Sequence, residues 1–294
     1  MRETEKNKIS ASTLYLVATP IGNLADMSER AIKTLSEVDF IAAEDTRNSL
    51  RLLNYFGISK PLVSYYEHNR RERGEEIISR LLSGESCALI TGAGTPAISD
   101  PGEDLVRLCA ENGVAVTAIP GACAMVNALA LSALSTVRFV FEGFLPVQKK
   151  PRRERLKELS AEKRTFILHE APHKLRSTLD DLCEVLGGDR KIALCRELTK
   201  LNEEIIRTTL SEACKLYSER EPRGEYVLVI EGRTSATNDD SVNSENNAPL
   251  TVDELRAEVE KRISEGLSKN AAIKAVAEAN GMTRNVLYGL LIEK

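Results

Sequence analysis

The first half of the chain repeats a single unit: a short apolar run, a turn, then an amphipathic stretch. The runs are "LYLVA" (14–18), "VDFIAA" (38–43), "PLVSYY" (61–66), "CALIT" (87–91) and "VAVTAI" (114–119). Each is too short for a helix and is bounded by turn-forming residues, which reads as a buried strand. Between them lie helix-patterned segments. "DMSERAIKTL" offers Asp26 as N-cap with Glu29 completing a capping box, and "GEEIISRLLSG" closes at Gly84. A third helix is expected to be capped by Ser99 or Asp100, with Pro101 in its first turn and Gly113 at its end. Strands separated by helices pair through crossovers, so this half is predicted to form a mainly parallel five-stranded sheet in an α/β fold.

The rhythm changes after "ACAMVNALALSAL". "RFVFEGF", "RTFILHE", "KIALCRELT", "EEIIRTTL" and "EYVLVIEG" follow, with helices such as "HKLRSTLDDLCEVLG" and "LSEACKLYSE". Short intervals between some of these strands predict antiparallel pairs, hence a mixed second sheet. The stretch 234–249 is rich in Asn, Ser and Asp and reads as a flexible linker. Beyond it, about three helical segments resemble a small helix-turn-helix-like module. The expected organisation is 12–121 and 122–233 as two α/β domains, 234–249 as linker and 250–294 as helical module.

Composition removes several classes of function. The charged N-terminus has no apolar run behind it, which argues against a signal peptide, and the longest apolar stretch is too short to cross a bilayer. Six cysteines without a CxxC pair and three histidines without metal spacing predict reduced thiols, a cytoplasmic location and no metal site. A net charge of −4 disfavours a general nucleic-acid coat protein. The run "KKPRRERLK" is the local exception, with Lys149, Lys150, Arg152 and Arg153 at its head. It reads either as the solvated face of a helix or as a phosphate-contacting patch.

In an open α/β sheet, ligands gather beyond the carboxyl ends of the strands. Those ends are "TPIGN", "EDTRN", "YYEHN", "TGAGTP" and "IPGACA". The first contains one glycine, Gly22, and so lacks the row of backbone N–H groups that cradles a pyrophosphate. Glu44, Asp45, Arg47, Glu67 and His68 put charge around the same edge, although helix capping and ion pairing would place Glu44 and Asp45 there equally well.

Taken in order, "LYLVATPIGNLADMSERAIKTLSEVDFIAAEDTR", "GAGTPAISDPG", "IPG", "FEGFLP", "RELTK" and "GEYVLVIEG" resemble the ribosomal RNA small-subunit methyltransferase I family, of the tetrapyrrole-methylase fold. The likeness covers about residues 12–232, and the tail is similar to that family's C-terminal module. The resemblance implies S-adenosylmethionine-dependent methylation of a cytidine ribose 2′-hydroxyl in the decoding region of 16S rRNA, within the 30S subunit, by a homodimer. It places the cofactor between two α/β lobes. A sulfonium nucleoside has no phosphate, which accounts for a first turn without an anion cradle. Matched residue by residue, Gly94, Thr95, Pro96, Ile98, Cys123 and Ala124 would contact the cofactor, with Leu168, His169 and Leu198 closing from the second lobe. Pro20 and Asn23 would face the substrate.

Candidate general bases are Glu170 and Asp45 first, then Glu44, Glu197 and Lys200. Arg47, Arg196 and Lys200 would hold RNA phosphates, unless Arg196 and Glu197 pair with each other. Three departures from the family pattern stand out: Thr91-Gly92 replaces Ser-Asp, Cys123 replaces a serine, and Tyr66 replaces a histidine. Two other readings share these residues: a corrin or porphyrin methylase, which normally carries a glycine-rich first loop, and an RNA-binding protein without catalysis, which Gly92 would favour.

Overall fold

The computed structural model describes residues 8–233, 252–264, 266–279, 282 and 284–292, and the chain divides into two compact units, 1–235 and 236–294. The linker expected at 234–249 lies outside the described residues.

In the first unit, β1 (Thr13–Val17), β2 (Phe40–Ala43), β3 (Leu62–Ser64), β4 (Cys87–Ile90) and β5 (Ala115–Ile119) form one sheet in the order β3-β2-β4-β1-β5. All four pairings are parallel, as the strand–helix alternation requires. α1 (Glu29–Glu37), α2 (Thr46–Tyr55), α3 (Arg70–Leu82) and α4 (Glu103–Glu111) provide the crossovers. Alternate residues feed two cores. Tyr15, Val17, Ile41, Ala43 and Ile90 pack with Leu35 of α1 and Leu53 of α2. Leu14, Phe40, Ala42 and Leu89 pack with Ile77 and Leu81 of α3 and Leu105 of α4. Each fully buried aliphatic side chain contributes about 2 kcal/mol.

Two helix starts differ from the sequence expectation. α1 is capped by Ser28, whose hydroxyl accepts from Ala31 N; Asp26 is drawn instead into a 3₁₀ turn (Leu24–Asp26) capped by Asn23. α4 starts at Glu103 with Gly102 as its N-cap, not Ser99 or Asp100, so Pro101 precedes the helix; Ser99 takes a left-handed backbone that turns the loop before the helix can begin.

The second sheet is built from β6 (Phe139–Gly143), β7 (Thr165–Glu170), β8 (Lys191–Arg196), β9 (Glu204–Thr209) and β10 (Tyr226–Ile230), in the order β6-β7-β10-β8-β9. β6 runs parallel to β7 and the other pairs are antiparallel, giving the mixed sheet. One face, with Phe166, Leu168, Leu194 and Leu228, is covered by α6 (Lys149–Ser160), α7 (Pro172–Leu186) and α8 (Leu210–Glu219). The opposite face carries Ile167, Ala193, Cys195, Val227 and Val229, and packs against α5 (Ala124–Leu131) and against Ile21 from the turn after β1.

The second unit consists, among the described residues, of α9 (Val252–Ser264), α10 (Lys269–Ala279) and α11 (Arg284–Ile292) around Leu255, Val259, Ile273, Val276 and Leu287. No helix among the described residues is long and apolar enough to cross a membrane, and no group of three or more potential metal ligands occurs among them.

Candidate active-site cleft

The turns that follow β1, β2, β4 and β5 face the open surface of the second sheet across a cleft of about 660 Å³. That volume falls within the range of small-ligand sites. Strand register builds the floor. Val227 on β10 lies opposite His169 on β7 and opposite Cys195 on β8, so these three cross-strand neighbours share the cleft face. Leu168, expected toward the cofactor, points the other way into the core beneath α6–α8, because successive strand residues alternate faces.

His169 Nε2 is buried without a hydrogen-bond partner, and its ring packs edge-on against Phe141 and Phe144. Burial holds its pKa below the ordinary value, so the imidazole is neutral. A buried ring nitrogen is seldom left unpaired in a native structure.

Two loops close the cleft with the same device. Ile98 lines the cleft between Ala97 (φ 65°) and Ser99 (φ 60°); Leu198 lines it between Glu197 (φ 51°) and Thr199 (φ 67°). None of the four is glycine, so each left-handed backbone carries strain. The second loop is pinned by Lys200, whose Nζ donates to Glu197 and Glu225 at 2.8 Å each. It also abuts the turn after β1. A Cβ on Gly22 would lie 2.4 Å from Lys200 Cγ and 2.9 Å from Thr199 Oγ1. The glycine therefore lets the two sheets meet, while Ile21 beside it lines the cleft.

The expected cofactor residues after β4 and β5 are spread over that wall. Gly94 (φ 81°) exchanges two backbone hydrogen bonds with Thr19, at 2.9 and 3.0 Å, and Thr95 Oγ1 donates to Ala122 O. Pro96 is buried behind the loop. Cys123 caps α5 through its backbone, one residue before Ala124, which lines the cleft.

The candidate bases separate. Asp45 is the N-cap of α2: its Oδ1 accepts from Arg47 N and Asn48 N, and Oδ2 accepts from Asn48 Nδ2. It does not line the cleft. Glu170 lies at the cleft's edge, but its carboxylate accepts from Ala171 N and from Thr178 Oγ1, inside a buried chain that continues to Arg152 and Asp181. The hydrogen bond from Lys200 holds Glu197 below the usual carboxylate range, making it a poor proton acceptor. Glu44 lines the cleft beside Gly92 and faces Asp100. Burial, and then the Glu44 charge, raise the Asp100 carboxyl to about 6. Sequence reasoning treated Asp100 only as a helix cap, and its Asp-Pro-Gly setting gives no local sign of Glu44.

The basic candidates also divide. Arg152 is committed to Asp181 (2.7 Å) and Thr178, and Arg196 to Arg223 O, Asn202 O and Glu204 rather than to Glu197. With a side chain only 15 % exposed, Arg196 cannot reach a phosphate without leaving those partners. Arg47, Lys149, Lys150 and Arg153 are exposed; Pro20 is half-buried and Asn23 is spent capping the 3₁₀ turn.

Residues 13–214 match the family Tetrapyrrole (Corrin/Porphyrin) Methylases. Proteins called ribosomal RNA small subunit methyltransferase I match almost the whole chain. The Synechocystis protein is 46% identical over 95% of this chain and 97% of its own, and the Escherichia coli O157:H7 protein 40% over 100% and 99%. The chain belongs to the ribosomal RNA small subunit methyltransferase I family. It is accordingly an S-adenosylmethionine-dependent methyltransferase. Solved structures share the fold of this chain at lower identity. Cobalt precorrin-4 methyltransferase aligns with a TM-score of 0.57 at 16% identity, over 75% of this chain and 95% of its own. Uroporphyrin-III C-methyl transferase from Thermus thermophilus, complexed with S-adenyl homocysteine, gives 0.52 at 14%, over 74% and 96%.

Proposed function

We propose that this protein transfers the methyl group of S-adenosylmethionine to the 2′-hydroxyl of a cytidine in the decoding region of 16S rRNA, acting in the cytoplasm on the 30S subunit. The observation that carries the reading is coverage. The rRNA-methyltransferase relatives extend through the C-terminal module, whereas the tetrapyrrole-methylase structures stop at about three quarters of the chain. Within the first unit, 12–121 and 122–233 serve as two domains, one per sheet.

The cleft fits a sulfonium nucleoside. Its walls carry Glu44, Asp100, Glu170 and Glu225 against a single Lys or Arg, Lys200, which is already paired. Such a field favours a cationic ligand and repels a pyrophosphate. Ile98, Ala124, His169 and Leu198 would hold the cofactor, with Gly94, Thr95, Pro96 and Cys123 shaping the backbone behind them. The cofactor supplies an electrophilic methyl: as the ribose oxygen bonds to it, the C–S bond breaks and its electron pair stays on a neutral sulfur. The protein's share is alignment, for which about 7–11 kcal/mol is the upper range, and removal of the hydroxyl proton, worth about 10²–10⁴-fold. Glu44 and Asp100 line the cleft and would take that proton; Asp45, Glu170 and Glu197 are occupied as acceptors within the protein. Arg47, Lys149, Lys150 and Arg153 are the exposed cations that would meet RNA phosphates.

A homodimer belongs to the same reading. α5 is almost wholly apolar yet buries only Ala128 and Leu129, and Val126, Leu131, Val137 and Phe139 remain exposed along 126–139. An apolar surface of this kind suits a second copy.

The test offers radiolabelled S-adenosylmethionine with 30S subunits, free rRNA and a tetrapyrrole. Label is expected in 16S rRNA, in an alkali-resistant dinucleotide, because a methylated 2′-oxygen can no longer attack the adjoining phosphate. Label in the ring, or in an alkali-labile nucleotide, overturns the assignment.

A further inference from the structure

A second hollow, of about 350 Å³, lies between the Thr19–Leu24 turn and α2, and Gly92 lines both it and the main cleft. One face of α2 forms its wall: Asn48, Arg51, Leu52 and Tyr55 recur at the i, i+3, i+4, i+7 spacing. Tyr55 is 66 % exposed although it is a large ring on a packed helix. Arg51 makes no hydrogen bond or ion pair among the described residues, unlike most arginines of this unit. On the opposite wall, Thr19 is 2 % exposed and its Oγ1 has no hydrogen-bond partner. A buried hydroxyl is seldom left unpaired in a native structure, and this residue borders the hollow.

We propose that this hollow seats the target nucleoside, flipped out of the RNA, with its base stacked on Tyr55, a flanking phosphate on Arg51 and a polar group of the nucleoside on Thr19 Oγ1. The inference rests on the rRNA reading above and adds where the substrate binds. A volume of about 350 Å³ is large enough for one nucleoside. Gly92 supplies the passage: a Cβ there would have nothing closer than Glu44 Oε2 at 4.0 Å, so the ribose can cross toward the cofactor without meeting a side chain. Single-stranded RNA is recognised through unstacked bases that pack on aromatic rings and guanidinium planes, and an exposed ring beside a free guanidinium is a receptor of that kind.

The experiment compares Tyr55→Ala, Tyr55→Phe, Arg51→Ala and Thr19→Val in the full chain. Methyl transfer to 30S subunits, S-adenosylmethionine affinity by calorimetry and Tm are measured for each. Tyr55→Ala is expected to lower kcat/KM about tenfold or more, chiefly through KM for the subunit, because base–aromatic stacking has that worth. Tyr55→Phe keeps the ring and stays within about twofold of the wild type, and cofactor affinity is unchanged in both. Arg51→Ala and Thr19→Val each raise KM for the subunit. If the wild type is active while Tyr55→Ala and Arg51→Ala remain within about twofold of it, this seat is wrong and the rRNA reading stands. Equal loss of cofactor binding in Tyr55→Ala overturns the seat as well. Absence of any transfer to 30S subunits by the wild type overturns both.

Discussion

Burial and the facing Glu44 charge lift the Asp100 carboxyl from an ordinary 3.8 to about 6, so folding and catalysis pull on it in opposite directions. An acid whose folded pKa is raised stabilises the fold below its unfolded value, and that contribution is lost as pH rises through about 6. The full shift corresponds to roughly 3 kcal/mol, but the group is half exposed and solvent screening leaves about 1. Asp100→Asn is therefore expected to raise stability by about 1 kcal/mol at pH 7–8, with no gain below about pH 4, as thermal denaturation across pH would record. The same variant should lose about 10²-fold or more in transfer rate, together with the rise in rate through about pH 6. Asp100 was visible in the sequence as a candidate helix cap. Its altered acidity was not, because it arises from burial in the folded cleft and then from a carboxylate brought over from the loop after β2. Asp45 is the converse: a residue chosen for its place at a strand end, which the structure uses to satisfy the first N–H groups of α2.

At the scale of elements, strand and helix identities were legible because apolar periodicity reports them directly, down to α8 at Leu210–Glu219. Facing was harder. Leu168 and His169 are neighbours in sequence, and only the register with β10 decides which of them meets the cleft. The loops were least legible, since Ala97, Ser99, Glu197 and Thr199 hold left-handed backbones without the glycine that would announce them. Thr199→Gly should relieve one of these, raising stability by up to about 1 kcal/mol in denaturant titration, and should weaken cofactor binding as Leu198 loses its fixed position. α6 shows how one basic run divides by face. Arg152→Ala strands Asp181 and Thr178 and is expected to destabilise the fold by about 2 kcal/mol. Lys149→Ala, Lys150→Ala and Arg153→Ala together should leave Tm unchanged and flatten the slope of log affinity for RNA against log salt by about 2.

For the whole molecule, every residue lining the cleft belongs to the first unit. Removing 236–294 is therefore expected to keep S-adenosylmethionine affinity within about twofold by calorimetry, while transfer to 30S subunits falls. On the proposed homodimer, Val126→Glu with Leu131→Glu should shift the protein to monomer in sedimentation equilibrium, since charges in an apolar contact go unpaired.

The contact at Gly22 has a consequence for what this scaffold can become. A dinucleotide-type loop needs several residues of slack after the first strand, and here that space belongs to Lys200 and Thr199. Engineers wishing to graft such a loop would have to redesign the opposing lobe first. A pyrophosphate-cradling loop after the first strand is thus barred by the scaffold's shape, and swapping charges alone would not admit one.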